Sequence, residues 1–101
     1  MPKQPETIFG ERVDDDLKKI FGNTAWSENI QQVGINGTPD RLCCINGRFV
    51  ALELKVATGS PSMSQRIKLA EIRKAGGLSY VVYPYTWDKI LSEIIEICVP
   101  V

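Results

Sequence analysis

The sequence contains no histidine among its 101 residues. Ser-His-Asp and Cys-His nucleophilic catalysis are therefore excluded, and so is any metal site with imidazole ligands. The three cysteines are Cys43, Cys44 and Cys98. Because three is an odd number and no C-x-x-C spacing occurs, neither a disulfide framework nor a zinc site is predicted. We expect a cytoplasmic protein in which any metal ion is held by oxygen atoms or thiolates.

Long apolar runs and net charge are lacking as well. The longest apolar runs cover only a few residues, which is too short to cross a membrane, and the polar start of the chain does not resemble a signal peptide. Lys and Arg together number 12, as do Asp and Glu, so the formal net charge is zero. This balance argues against a protein that coats nucleic acid by bulk charge. The length and the 44% hydrophobic content are typical of one globular domain, which we expect to span residues 1–101.

The spacing of apolar residues predicts seven secondary-structure elements. In the first helix, over residues 6–21, an apolar stripe is formed by Phe9, Val13, Leu17 and Ile20. Two further helices are predicted over residues 62–75 and 86–97, and strands over residues 26–33, 41–45, 48–56 and 78–83. The order α-β-β-β-α-β-α predicts an α/β fold in which helices flank a mixed sheet.

Two short motifs support this assignment. Asn46-Gly47 is a strong signal for a two-residue hairpin turn between the second and third strands. Ser62 and Gln65 have the spacing of a capping box, which predicts that a helix begins at Ser62.

The chemically informative residues are Asp40, Glu53 and Lys55. Glu53 and Lys55 are two residues apart on a predicted strand, so their side chains project to the same face, while Leu52 and Leu54 project to the core. The hairpin brings Asp40, at the start of one strand, close to Glu53, near the end of the other. Two carboxylates then converge beside a lysine.

This combination suits metal-assisted hydrolysis of a phosphodiester. Carboxylate oxygens are ligands of Mg²⁺ and Mn²⁺, and such an ion polarises a phosphodiester and activates a bound water. Asp40 and Glu53 are the predicted ligands. A lysine at position 55 can orient or deprotonate the water, or stabilise the charge that develops on the phosphate.

These residues resemble a known family. The run Gly37-Thr38-Pro39-Asp40-Arg41, followed by Glu53-Leu54-Lys55, is similar to the PD-(D/E)xK nuclease superfamily. The fuller pattern resembles the VRR-NUC branch, whose small stand-alone phage and bacterial members are about this length. That pattern continues with the loop glycine Gly59, the S-x-x-Q segment at 62–65 and the glycines at 76–77.

The resemblance implies a fold, an activity and partners. The fold is a restriction-endonuclease-like α-β-β-β-α-β core. The activity is metal-dependent endonucleolytic cleavage of DNA, selective for branched, flapped or Holliday-junction structures rather than for sequence, by a homodimer. The resemblance also adds the backbone carbonyl of Leu54 as a metal ligand and places Gln65 in the active site.

The family pattern places one more glutamate on the first helix, and two residues compete for this position. Glu6 lies on the stripe that contains Phe9 and Val13, whereas Glu11 lies off it. We therefore expect Glu6 to face the sheet and the metal ion, with Glu11 as the alternative.

Charge is unevenly distributed along the chain. Residues 41–74 carry seven basic and two acidic side chains, whereas the segments before and after are both acidic. The basic excess accompanies the proposed site and predicts DNA contacts. The candidate phosphate-binding residues are Arg41, Arg66, Lys68, Arg73 and Lys74.

Each assignment has a simpler alternative. Asp40 is also a common turn residue, the Glu53–Lys55 pair could lie on an exposed edge strand, Gln65 could only cap its helix, and Glu6 could only favour the helix dipole. The acidic run at 14–16 is expected to be a solvated helix face. For the whole chain, the alternative to an enzyme is a non-catalytic nucleic-acid-binding or interaction module that retains the nuclease fold.

Overall fold

The structure is a computed structural model that describes residues 2–30 and 37–100. Its helices are α1 (Pro5–Phe21), α2 (Met63–Lys74) and α3 (Trp87–Ile97), and a 3-10 turn (Gly22–Thr24) follows α1. Its strands are β1 (Ala25–Asn29), β2 (Arg41–Ile45), β3 (Arg48–Leu54) and β4 (Leu78–Val82). The predicted α/β fold and element order are confirmed. The first strand was expected to extend to residue 33, and residues 31–33 lie outside the described part of the chain.

The four strands form one mixed sheet in the order β1-β2-β3-β4. The first three strands pair antiparallel, and β4 pairs parallel to β3. Asn46 and Gly47 join β2 to β3 with φ angles of 50° and 82°. Two consecutive positive φ angles are the geometry of a type I′ hairpin turn, which the Asn-Gly pair predicted. As expected, β3 is an interior strand.

Successive side chains of β3 point to opposite faces of the sheet, and each face packs against different helices. Val50 and Leu52 are fully buried in the main core, which they share with residues of α1 and α3. The opposite face of the sheet carries Ala51 and Glu53, and α2 packs against this face through a bond from Ser79 Oγ to the Leu69 carbonyl. The helices therefore cover both faces of β3, which is how a charged side chain of this strand becomes buried.

The acidic run of α1 differs from the expected solvated face. Only Asp15 is exposed, whereas Asp14 and Asp16 are half-buried. Asp16 accepts a hydrogen bond of 2.8 Å from the indole N–H of Trp87, which is fully buried. A buried indole N–H requires such a partner. The predicted stripe is also shorter than expected, because Ile20 is 45% exposed at the end of α1.

The loop that precedes β2 rests on the first turn of α2. Gly37 has a φ of +85°, and a Cβ atom built on it would lie 2.5 Å from the carbonyl oxygen of Ser64. Both the backbone angle and the close approach require glycine at this position. Gly37 therefore allows the loop carrying Asp40 to sit against α2. Within residues 2–30 and 37–100, no helix is long and apolar enough to span a bilayer.

We predict that Gly37→Ala destabilises the protein more than Gly47→Ala does. Both residues have positive φ angles, which cost alanine about 1 kcal/mol, but no atom lies within 4 Å of a Cβ at Gly47. The difference between the two variants isolates the contact with α2. Urea unfolding would measure it, and equal free energies of unfolding would contradict a tight loop–helix contact.

Candidate functional site

A cavity of about 700 Å³ opens where the end of β3 meets α1 and the start of α2. Its wall is polar and strongly charged. The carboxylates that line it are Glu6, Glu11, Asp14, Asp40 and Glu53, and Lys55 and Gln65 lie among them. The structure thus brings the predicted acid, acid and lysine together in one concave site.

Glu53 is the central side chain of this site. Glu53 is only 1% exposed, because β3 is an interior strand and α2 covers this face of the sheet. The Lys55 ammonium lies 3.2 Å from Glu53 Oε2, as expected for residues two apart on one strand. The alternative of an exposed edge-strand pair is therefore wrong.

Gln65 connects the site to the start of α2. Its side-chain oxygen accepts a hydrogen bond of 2.8 Å from the backbone N–H of Ser62, which completes the capping box. Its side-chain nitrogen donates a bond of 2.9 Å to Glu53 Oε2. Capping and a contact in the site were alternatives for this residue, and the structure assigns it both.

Asp40 is held against the end of β3. Its Oδ2 atom accepts a hydrogen bond of 2.9 Å from the backbone N–H of Leu54, the residue between Glu53 and Lys55. Asp40 follows a buried proline and precedes β2, so the β2–β3 pairing fixes its position relative to Glu53. It is more than a turn residue, because it bridges the two strands that carry the site.

The environment of Glu53 changes its acidity. Burial raises the pKa of this carboxyl, and so does the neighbouring Asp40 carboxylate, while Lys55 opposes both. The net effect is a rise of the pKa from 4.5 to about 7. A carboxyl with a pKa near neutrality in a cleft is typical of functional sites.

The donor atoms of the site fit a hard divalent cation. Glu53 Oε1 is buried and has no hydrogen-bond partner among the described residues. An unpartnered buried carboxylate oxygen is costly, and a cation would satisfy it. Mg²⁺ is commonly bound through one or two carboxylates and several waters, so Asp40 and Glu53 suffice as protein side-chain ligands.

Among the described residues, the carboxylates of α1 do not form a metal-binding cluster with Asp40 and Glu53. In the described part of the chain, no three Asp, Glu or Cys side chains form a cluster that could hold a metal ion. Glu6 and Glu11 both line the cavity, and both are exposed. Glu11 is bound to Lys3 at 2.7 Å, whereas Glu6 has no such ion pair among the described residues. Glu6 thus faces the cavity as expected without completing a three-carboxylate cluster.

Arg41 has a different environment from the one predicted for a phosphate-binding residue. It is 7% exposed, and its guanidinium donates two hydrogen bonds to Asp14, of 2.9 and 3.2 Å. It also packs against Gly10, where an added Cβ atom would lie 2.5 Å from the Arg41 Nη2 atom. A paired, buried guanidinium joins α1 to β2, and this role replaces the expected contact with DNA.

The basic residues of α2 divide into two groups. Arg73 is tied to the sheet, since its guanidinium donates two bonds to the Ser79 carbonyl and lies 4.8 Å from the centre of the Tyr80 ring. Arg66 and Lys74 are exposed, Arg66 donates a bond of 3.3 Å to the Pro61 carbonyl, and the Lys68 ammonium lies 3.4 Å from the Thr38 hydroxyl. None of these four cations forms an ion pair with a carboxylate among the described residues, so the charge of each is available to a phosphate, and only the guanidinium of Arg73 is also fixed against the sheet.

Several residues that line the cavity were not identified from the sequence as parts of the site, and two of them contact its charged side chains. Asp14 lines the cavity and holds Arg41, and Gly59 lines it and lies beside the side chain of Lys55. The half-buried position of Asp14 has no local sequence signal, because its partner Arg41 comes from another element. The contact of Gly59 has none beyond its place in the loop after β3.

The chain was compared with protein families, with curated proteins and with solved structures. No family model matches, and no curated protein matches. Among solved structures, the chain is similar to one described as a VRR_NUC domain, with 25% sequence identity and a TM-score of 0.60. The match covers 85% of this chain and 92% of that one. The chain therefore shares the fold of that VRR_NUC domain, and this likeness supports the resemblance of its motif residues to the VRR-NUC family.

Proposed function

We propose that the protein is a metal-dependent DNA endonuclease that selects branched or flapped structures. One observation carries the proposal: two carboxylates and a lysine converge in a cavity where a buried carboxylate oxygen has no hydrogen-bond partner in residues 2–30 and 37–100. A structural ion pair would leave no such oxygen, because a stable buried pair satisfies its remaining lone pairs. The donor set of the site therefore supports binding of a divalent cation.

The residues of the chain have separate roles in this proposal. Asp40, Glu53 and the carbonyl of Leu54 hold Mg²⁺ or Mn²⁺, and Glu6 adds negative charge at the outer wall. When bound, the ion supplies Lewis-acid polarisation of the phosphodiester and a water of lowered pKa. Gln65 fixes the rotamer of Glu53 through its 2.9 Å hydrogen bond.

Lys55 positions the attacking water and stabilises the negative charge that develops at the phosphate. It is a compact cation, and its partner Glu53 lies 3.2 Å away, so its ammonium is held at the cavity wall. The planar guanidinium of arginine would place its charge and its donors differently. The role of Lys55 therefore depends on the shape of the side chain as well as on its charge.

The DNA backbone would lie along α2. Arg66, Lys68 and Lys74 belong to a segment with a basic excess, next to the cavity lined by Gln65. Contacts with phosphates position a nucleic acid without reading its sequence. This favours selection by DNA structure over selection by sequence.

We also propose that the active form is a homodimer. Trp26, Cys44 and Phe49 lie side by side on neighbouring strands, on the face of the sheet opposite the main core, and all three are exposed. Trp26 and Phe49 are 57% and 44% exposed. Adjacent exposed aromatic side chains are typical of an interaction surface.

A non-catalytic DNA-binding module with this fold is the second candidate. It would retain the exposed cations of α2. It offers no reason to keep Glu53 buried beside Asp40, since like charges in a buried site oppose binding of a polyanion.

We predict that Asp40→Asn and Lys55→Ala each lower the rate of DNA cleavage at least about 100-fold, the scale expected for loss of a positioned acid–base or charged group. Asparagine retains an oxygen that can accept the bond from the Leu54 N–H, so the Asp40 variant should remain folded. Cleavage of labelled single-stranded, duplex, flapped and four-way DNA with Mg²⁺ or Mn²⁺ measures the effect.

Two surface variants serve as controls for that experiment. Asp15→Asn and Lys89→Ala remove the same charges at exposed positions outside the cavity and should cleave like wild type. Lys55→Arg should remain impaired. Wild-type protein that binds DNA without hydrolysing it would favour the binding module, and equal cleavage of duplex and branched DNA would contradict structure selectivity.

We predict that the metal-free protein becomes less stable as pH rises from about 5 to 8. The folded pKa of Glu53, about 7, lies above its ordinary value of 4.5, so the folded state binds more protons in this range. The stabilising contribution is full below the unfolded pKa and is lost above the folded one, with a total on the order of 3 kcal/mol.

Glu53→Gln is the matched variant for this measurement, because it keeps the shape of the side chain and removes its charge. It should match wild type near pH 5, exceed it in stability at pH 8, and lose any stabilisation by added Mg²⁺. Thermal unfolding at several pH values measures both effects. A wild-type stability that does not change between pH 5 and 8 would contradict the raised pKa.

We predict a dimer in sedimentation at micromolar concentration. Trp26→Glu places a charge in the exposed aromatic surface and should shift the protein toward the monomer. A wild-type protein that sediments as a monomer would argue against the dimer.

A further inference from the structure

Two stacked tyrosines stand immediately after β4. The ring centres of Tyr83 and Tyr85 are 5.2 Å apart, and the ring planes differ by 19°. Tyr85 is 76% exposed, the highest exposure of any large hydrophobic side chain in the described residues. One face of its ring is covered by Tyr83, and the other face is therefore available to a planar ligand.

The backbone holds this pair in place. The Thr86 N–H donates to the Tyr83 carbonyl and the Thr86 hydroxyl accepts from the Tyr83 N–H, both at 3.0 Å. Pro84 occupies the second position of the turn, where its fixed φ is favourable. The Arg12 guanidinium lies 3.4 Å from the Pro84 carbonyl. A ring ordered before binding loses little conformational entropy when a ligand stacks on it.

The tyrosine pair is connected to the proposed catalytic cavity. The Tyr83 hydroxyl donates a hydrogen bond of 2.8 Å to the carbonyl of Gly59, which lines that cavity. Gly59 lies against Lys55, since a Cβ atom added to it would be 3.7 Å from the Lys55 side chain. Gly59 thus connects Tyr83 to Lys55.

An apolar groove continues from the cavity toward Pro84. Its wall includes Ile8, Phe9 and Ala57, and it shares Glu6 and Val56 with the cavity. The cavity suits a phosphate and a cation, whereas the groove and the tyrosines suit a flat, uncharged ring. A nucleotide combines these two parts in one molecule.

We infer that Tyr85 stacks on an unpaired nucleobase next to the phosphate that the cavity holds. The inference rests on the proposed nuclease function and gives its structure selectivity a physical basis. In a continuous duplex, both faces of every internal base are covered by neighbouring bases. Only an unpaired base at a branch, a flap or a single-stranded end can offer a free face to Tyr85 without unstacking of the helix.

The test is the binding of two DNAs in the absence of divalent metal, so that cleavage does not intervene. One is a fully paired duplex, and the other is the same duplex with a single-stranded flap. We expect Tyr85→Ala to raise the Kd for flapped DNA roughly tenfold, as for loss of one stacked base, and to leave the Kd for the duplex unchanged. Tyr85→Phe, which keeps the ring, should bind like wild type. Ile95→Ala, an exposed apolar residue near the end of α3, is the control for loss of surface area.

Abasic DNA identifies the contact directly. Abasic sites at the first unpaired positions of the flap should weaken binding by wild type and should have no further effect on Tyr85→Ala, which gives a double-mutant cycle between a side chain and a base. Additive losses, or equal weakening of flapped and paired DNA by Tyr85→Ala, would overturn the inference and leave the nuclease proposal standing. If wild type binds neither DNA, the proposed function fails as well.

Discussion

The burial of the Glu53 carboxyl on an interior strand is the constraint around which the rest of the site is built. Sheet pairing on both sides of β3 and the packing of α2 leave this residue 1% exposed. A carboxylate buried in this way without polar partners would not stay ionised, because the free-energy cost of removing its charge from water is too large. Lys55 and Gln65 both contact Oε2, and burial beside Asp40 raises the pKa to about 7. Lys55 and Gln65 thus partly offset the cost of burial, and Oε1 has no hydrogen-bond partner in the part of the chain that the structure describes.

Some of the motif residues supply the charged groups of the cavity, and others hold those groups in position. Asp40, Glu53 and Lys55 face the cavity, whereas Gly37 and Arg41 build the frame that holds them. Gly37 allows the loop to approach the backbone of α2, and Arg41 joins β2 to α1 through Asp14. A motif read as a set of functional groups therefore contains residues whose contribution is to position the others.

Several elements could be predicted because their signals are local. The hairpin turn follows from Asn46-Gly47, the start of α2 from Ser62 and Gln65, and the buried face of β3 from its alternation. The same alternation placed Glu53 and Lys55 on one face. The roles of Arg41 and Arg73 could not be predicted, because both are decided by partners from other elements, Asp14 and the Ser79 carbonyl. A charge count along the sequence cannot separate a paired guanidinium from a free one.

The sequence by itself determined the element order, the candidate acid-acid-lysine set and the absence of any histidine-dependent chemistry, since these depend on residue type and spacing. Only the tertiary structure decided how deeply Glu53 is buried, which cations remain free and that Tyr83, the stacking partner of Tyr85, bonds to a residue that lines the cavity. The physical reason is that burial and ion pairing depend on which distant segments meet. Tyr83 and Gly59 are 24 residues apart in the chain and 2.8 Å apart at their hydrogen bond.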